Sequence, residues 1–144
     1  MRSRQRSLSL FSLGVATHFS HPKSTTTMSI PGANVRYSKI TNAIDLFDDG
    51  YTSAVWCSYD GNPQRCLGVR YNGSGDSVSF PNKDGYPLWY IEPDFVTRSI
   101  LLDLLAAINN DASAGNLANV LIALREVDGR SNALAAQAVL PTTP

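Results

Sequence analysis

Apolar side chains recur at two different rhythms along this chain, and the rhythm changes near residue 50. Between Ser38 and Phe47, the residues Ile40, Ala43, Ile44 and Phe47 fall at the spacing of one helical face. Ser38 or Thr41 supplies a capping hydroxyl and Asp49-Gly50 a stop, so the pattern predicts a short N-terminal helix over 38–47. From Tyr51 to Ile91, short runs rich in Val, Tyr, Trp and Phe alternate with the turn dipeptides Asp60-Gly61, Asn72-Gly73 and Asp84-Gly85. That is how an antiparallel meander is written, with strands expected over 52–59, 66–72, 77–80 and 87–91. Alternation sends Val55, Cys57 and Tyr59 to one face of the first strand and Ala54, Trp56 and Ser58 to the other. In the second, Leu67, Val69 and Tyr71 oppose Gly68 and Arg70. One face is the more apolar and is expected to pack on helices.

Glu92-Pro93-Asp94 opens a long helix, with Asp94 the expected N-cap. The apolar residues of Phe95–Ile108 cover most of its circumference, leaving gaps at Arg98, Ser99 and Asp103. A helix apolar nearly all round is buried on more than one side, so it is either central or partly covered by another chain. After a turn at 109–113, a second helix is expected over 113–127, with Leu117, Val120, Leu121, Leu124 and Val127 as its stripe and Asp128-Gly129 as its end. The pattern as a whole predicts an α+β fold: a small antiparallel meander of three or four strands packed on a C-terminal helical hairpin, with a short N-terminal helix. One domain is expected over 34–128, flanked by a basic leader or extension (1–27) and a flexible, Ala-rich tail (129–144).

Charge divides the chain unevenly. The net charge is zero, yet residues 1–27 carry Arg2, Arg4, Arg6 and Lys23 and no acid. The remainder therefore holds all 12 acidic residues and is mildly acidic, which disfavours nucleic acid as a partner. The leader fits a secretory signal, an organelle transit segment or an upstream extension before Met28. Its apolar run, Leu8–Ala16, is broken by Ser9, Ser12 and Gly14 and is too short to span a bilayer. The cytoplasm is the expected location, with export or organelle targeting the alternative if 1–27 is cleaved.

Both histidines, His18 and His21, lie in that leader. A body without imidazole holds no Ser-His-Asp triad, Cys-His pair or histidine-bound zinc. Cys57 and Cys66 match no zinc or redox spacing; they face each other across a hairpin either as a disulfide or as two reduced, half-buried thiols.

Among candidate sites, Asn72-Gly73-Ser74-Gly75-Asp76 has the composition of a phosphate loop but is followed by a strand, so a hairpin turn is expected. Asp45, Asp48, Asp60 and Glu92 form the weak alternative of a carboxylate site for a hard cation, the basis of a metal-dependent enzyme. Asp48-Asp49-Gly50 places acids where a helix dipole disfavours them. Glu92 and Asp94 also flank Pro93 as a conceivable acid–base pair, although helix capping accounts for Asp94.

The most suggestive set is Trp56, Arg70, Tyr86, Trp89 and Tyr90, the composition of a binding hot spot if the sheet has an open aromatic face, and also of a platform for a nucleotide or small ligand. The expectation is thus a non-enzymatic protein-binding domain without cofactor. Its partner is another protein or itself, as a homodimer through the Phe95–Ile108 helix or the aromatic sheet face.

Overall fold

The computed structural model describes residues 31–74 and 77–138. The leader 1–27, the tip of the expected hairpin turn (Gly75 and Asp76) and the tail end 139–144 lie outside the described residues.

A four-stranded antiparallel sheet is built from β1 (Ile40–Asp48), β2 (Thr52–Tyr59), β3 (Arg65–Tyr71) and the two-residue β6 (Tyr90–Ile91), in the order β1-β2-β3-β6. A two-stranded ribbon, β4 (Asn82–Lys83) with β5 (Tyr86–Pro87), stands apart from it. Two helices follow, α1 (Asp94–Asn110) and α2 (Leu117–Ala138). The expected α+β architecture with a C-terminal helical hairpin is the observed one.

The predicted helix over 38–47 is instead strand β1, and its register explains the misleading spacing. Thr41 faces Ser58 and Ile44 faces Trp56, so Asn42 and Ala43 together oppose Cys57; Leu46 is a second extra residue, between Asp45 opposite Val55 and Phe47 opposite Ala54. Asn42 takes a φ of 49°, which Asn tolerates better than most residues. Each bulge inserts one residue and reverses the alternation of faces. Ile40 and Ala43 therefore reach one side of the sheet while Ile44, Leu46 and Phe47 reach the other. Two bulges in an extended chain have reproduced the three-and-four spacing of a helix.

The acids at 48–49 belong to the β1–β2 turn rather than to a helix exit. Asp49 accepts from the backbone N–H groups of Tyr51 and Thr52 at 2.9 and 2.7 Å, and Asp48 accepts from Gly50 at 2.9 Å. Gly50 has a φ of 89°, a conformation glycine adopts without strain. Asp60-Gly61 and Asp84-Gly85 also turn with positive φ at both residues, as tight hairpins require. The expected strand over 77–80 reduces to isolated bridges, Tyr71 with Phe80 and Ser74 with Ser77, and the one over 87–91 splits into β5 and β6.

Both faces of the sheet are covered at its centre. On one side Leu46, Ala54, Trp56 and Leu67 pack against Leu101 and Ile108 of α1 and Val120, Ala123, Leu124 and Val127 of α2. On the other, Val55 and Cys57 pack against Val35 from the segment before β1 and Trp89 from the segment before β6. The Trp89 indole Nε1 donates to the Val35 carbonyl at 2.9 Å, tying those two covering segments together. Gly32 completes the cover: a Cβ there would lie 2.5 Å from that of Ser53 and 3.0 Å from the Trp89 ring.

Two helix ends differ from expectation. Asp94 makes no side-chain cap; it sits in the first turn of α1, where its charge still complements the dipole, and Pro93 occupies the cap position. α2 does not stop at Asp128-Gly129 but runs to Ala138, since a single Gly is tolerated inside a helix and the following Ala-rich residues are strong helix formers. The segment 129–138 is therefore helical, although 131–138 is exposed throughout.

α2 is fastened to the sheet by a polar clamp around Trp56. The indole Nε1 donates to Glu126 Oε2 at 2.8 Å, Arg65 forms an ion pair with the same carboxylate, and the Arg130 guanidinium lies 5.2 Å from the Trp56 ring. The Arg65 hydrogen bond, aided by the indole N–H and opposed by burial, holds the Glu126 carboxyl below its ordinary value of 4.5. A depressed folded-state pKa means stabilisation that is complete above the unfolded value and lost as pH falls through the folded one. Glu126→Ala strands the buried indole N–H and should cost about 1–3 kcal/mol in denaturant unfolding at neutral pH. Glu126→Gln, which can keep the indole bond, should cost less and should show a weaker loss of melting temperature below pH 4.5 than the parent chain.

Candidate functional site

The five residues expected on an open aromatic face do not share a surface. Trp56 is 0% exposed and faces the helices; Trp89 is 5% exposed and Arg70 2%, both on the opposite side of the sheet. Only Tyr86 and Tyr90 are exposed, at 75% and 51%. The open face fails because the 31–37 segment and Trp89 itself close it, and no periodicity in the sequence announces a segment of irregular backbone as a lid. What remains outside is a shallow apolar groove of about 310 Å³ at the β6 edge, lined by Val69, Tyr71, Phe80, Pro81 and Tyr90.

The carboxylates do not converge either. Asp45 is paired with Arg36 on the exposed side of β1. Asp48 accepts from Gly32 N, Gly50 N and Asn72 Nδ2. Asp60 pairs with Lys39 at 3.2 Å beside the β2–β3 turn. Glu92 follows β6, where its backbone N–H donates to Leu67. Among the described residues no group of three His, Cys, Asp or Glu side chains is placed to hold a metal ion. A cleft of about 200 Å³ between β1 and the interhelical turn includes Asp45 and Asp48, but both Asp48 oxygens are taken up as structural acceptors and Asp45 Oδ1 is paired with Arg36.

Arg70 is the electrostatic oddity of the fold. All three guanidinium nitrogens are buried and none has a hydrogen-bond partner. The group lies 5.9 Å from the Trp89 ring. Burial pulls its pKa below the usual arginine value, while the nearby Asp48 charge partly restores it. Asp48 cannot turn fully toward the cation, because both its oxygens are already engaged: Asn72 Nδ2 donates to Asp48 Oδ1 at 3.1 Å, and Gly32 N to Oδ2 at 3.0 Å. Asn72 is itself held by Ser53 Oγ at 2.8 Å.

Apolar side chains are also exposed on the helices. Arg98 of α1 meets Asp128 of α2 at 2.7 Å, which identifies the flank of each helix that borders the seam between them. Helical spacing then places Leu102 and Leu105 on the Arg98 flank, and Leu117 and Leu121 on the Asp128 flank. Phe95 is 85% exposed, Leu102 40% and Leu117 42%. Leu121 is exposed and Leu105 half-buried beneath. Residues 117 and 121 were visible in the sequence as part of a helical stripe, but the stripe alone did not show that its shoulder would be left uncovered.

No family model, curated protein or solved structure matches this chain. Its chemistry is therefore read from its own side chains, and two features stand out: a sealed guanidinium and an open leucine seam. A buried charge without hydrogen bonds opposes folding through its desolvation. Arg70→Met, close in volume and apolar, should therefore raise stability by about 1–4 kcal/mol in a urea melt. A destabilised variant would mean that the contacts with Trp89 and Asp48 outweigh the loss of hydration.

Proposed function

We propose that this chain is a non-enzymatic interaction protein that associates with a second copy of itself through the seam between α1 and α2. The observation that carries the proposal is the exposure of Phe95, Leu102, Leu117 and Leu121 along one stretch of the helical pair. The two tryptophans of the sheet region serve the core, one on each side, so the open aromatic face is not available to a partner. Exposed apolar side chains collected in one strip favour association, since burying them releases about 25 cal/mol for each Å² removed from water.

A second copy suits the charges of the strip. Arg98 and Asp128 border it as one cation and one anion, with exposed Arg125 one turn on from Leu121 on the same flank. A two-fold axis through the seam brings each charge toward its opposite on the other protomer, whereas an acidic or basic partner would meet one like charge. In this proposal the chain works in the cytoplasm with Cys57 and Cys66 as thiols. No helix among the described residues is long and apolar enough to cross a membrane.

Sedimentation of the full chain at micromolar concentration tests the proposal. The parent chain should sediment as a dimer with a concentration-dependent melting temperature. The double variant Leu102→Glu with Leu121→Glu should sediment at half that mass, with unchanged far-UV circular dichroism. A parent chain that stays monomeric across the micromolar range overturns it.

A further inference from the structure

Cys57 on β2 and Cys66 on β3 are directly opposite each other in the antiparallel register. Residues so paired have Cβ atoms about 4.5–5.5 Å apart, and their Cα separation falls within the range that a disulfide bridges. The Cys66 thiol points across the pair and not away from it, because Sγ lies 3.4 Å from the Cys57 carbonyl oxygen. Both side chains belong to the cluster on the side of the sheet away from the helices, and both are free thiols. They differ in access: Cys57 is fully buried, Cys66 only half-buried. Cys66 is thus the more accessible residue of the pair, with Cys57 enclosed beside it.

We propose that Cys57 and Cys66 form an oxidisable dithiol, in which Cys66 takes oxygen from a hydroperoxide and Cys57 closes an intrachain disulfide. The Cys66 thiolate attacks one peroxide oxygen. The S–O bond forms as the O–O bond breaks, and hydroxide leaves, giving a sulfenic acid. Cys57 sulfur then attacks Cys66 sulfur. The S–S bond forms, the S–O bond breaks, and the displaced hydroxide leaves as water with the proton from Cys57. In sum, two thiols and one hydrogen peroxide give one disulfide and two waters.

Access orders the two roles, and the electrostatics of the coupled pair run in the same direction. A hydrogen bond from the Cys57 thiol favours the thiolate of Cys66, against burial and the charge of Asp94 and with some help from Arg130. The same hydrogen bond, reinforced by burial, raises Cys57 far above an ordinary thiol. The attacking sulfur is therefore the accessible one, and the resolving sulfur the one that oxidant cannot reach first. The strands are already paired through this point, and the two Cβ atoms close by about 1 Å to reach disulfide geometry.

Hydrogen peroxide added to the full-length protein, followed by thiol titration under denaturing conditions and peptide mapping, tests this. The titratable thiols should fall from two to none, the chain should become lighter by two hydrogens, and a dithiol reductant should restore both. Cys57→Ser should leave Cys66 as a sulfenic acid that dimedone traps. Cys66→Ser should keep the buried Cys57 thiol at a peroxide dose that consumes both in the parent chain. Because serine at the buried position can loosen the fold, the parent chain's own mass map is decisive. Thiols that survive peroxide, a disulfide found only between chains, or oxidation of Cys66 to sulfinic acid without a cross-link would each overturn the proposal.

Discussion

Trp56 sits at the centre of β2 with the sheet on both flanks and the helices above it, and the rest of the structure is arranged around keeping it there. Its ring fills the space between the sheet and α2, which is a matter of shape and area. Its N–H must also find an acceptor inside that layer, since a buried donor left unpaired costs as much as several buried methylenes gain. Glu126 meets that need, Arg65 neutralises its carboxylate, and the Arg130 guanidinium lies over the indole. One large amphipathic side chain thus fixes the rotation of α2 about its axis. Once that rotation is set, Val120, Ala123, Leu124 and Val127 face the sheet, and the shoulder with Leu117 and Leu121 is left outside.

The other side of the sheet obeys a different constraint. A four-stranded sheet with one dry face ordinarily leaves the second in water. Here β2 carries Val55 and Cys57 on that second face, and Trp89 with Val35 closes over them. The cover is held by one indole-to-carbonyl hydrogen bond and by the close approach of Gly32 to Ser53 and Trp89. Beneath it lies Arg70, in a place where a residue without charge would be easier to hold. Two of the aromatics that looked like a binding face, Trp56 and Trp89, are spent on closing the protein, while Tyr86 and Tyr90 stay outside.

How much of this was written in the sequence depends on which physical signal each element carries. α1 and α2 were legible because long apolar periodicity has few competing explanations. β2 and β3 were legible because their residues alternate and their turns carry Asp-Gly. β1 was misread because two bulges, one at the unusual φ of Asn42, broke the alternation that marks a strand. The acids at 48 and 49, an anomaly for a helix end, are ordinary for a strand turn, so the inconsistency itself was the clue. The Trp56 and Trp89 placements were not recoverable, since alternation within one strand says neither which face meets the helices nor that both faces are covered. The Cys57–Cys66 juxtaposition was legible as a hairpin pairing, and the structure supplies its register. The Glu126 clamp had no sequence signal, being a single acid on the flank of a helix sixty residues away from its arginine.

The turn between the helices has a bearing on how this molecule meets others. β1 is an outer strand of the sheet, and an outer strand exposes carbonyls that invite another chain to extend the ladder. Asn116 N donates to the Leu46 carbonyl at 2.9 Å, and Asn119 Nδ2 to that of Asp45 at 2.8 Å. Gly115 makes the approach feasible, since a Cβ there would stand 2.5 Å from the Leu46 oxygen. The hook occupies the Asp45 and Leu46 carbonyls, so at this end of the border the ladder is closed to a further strand.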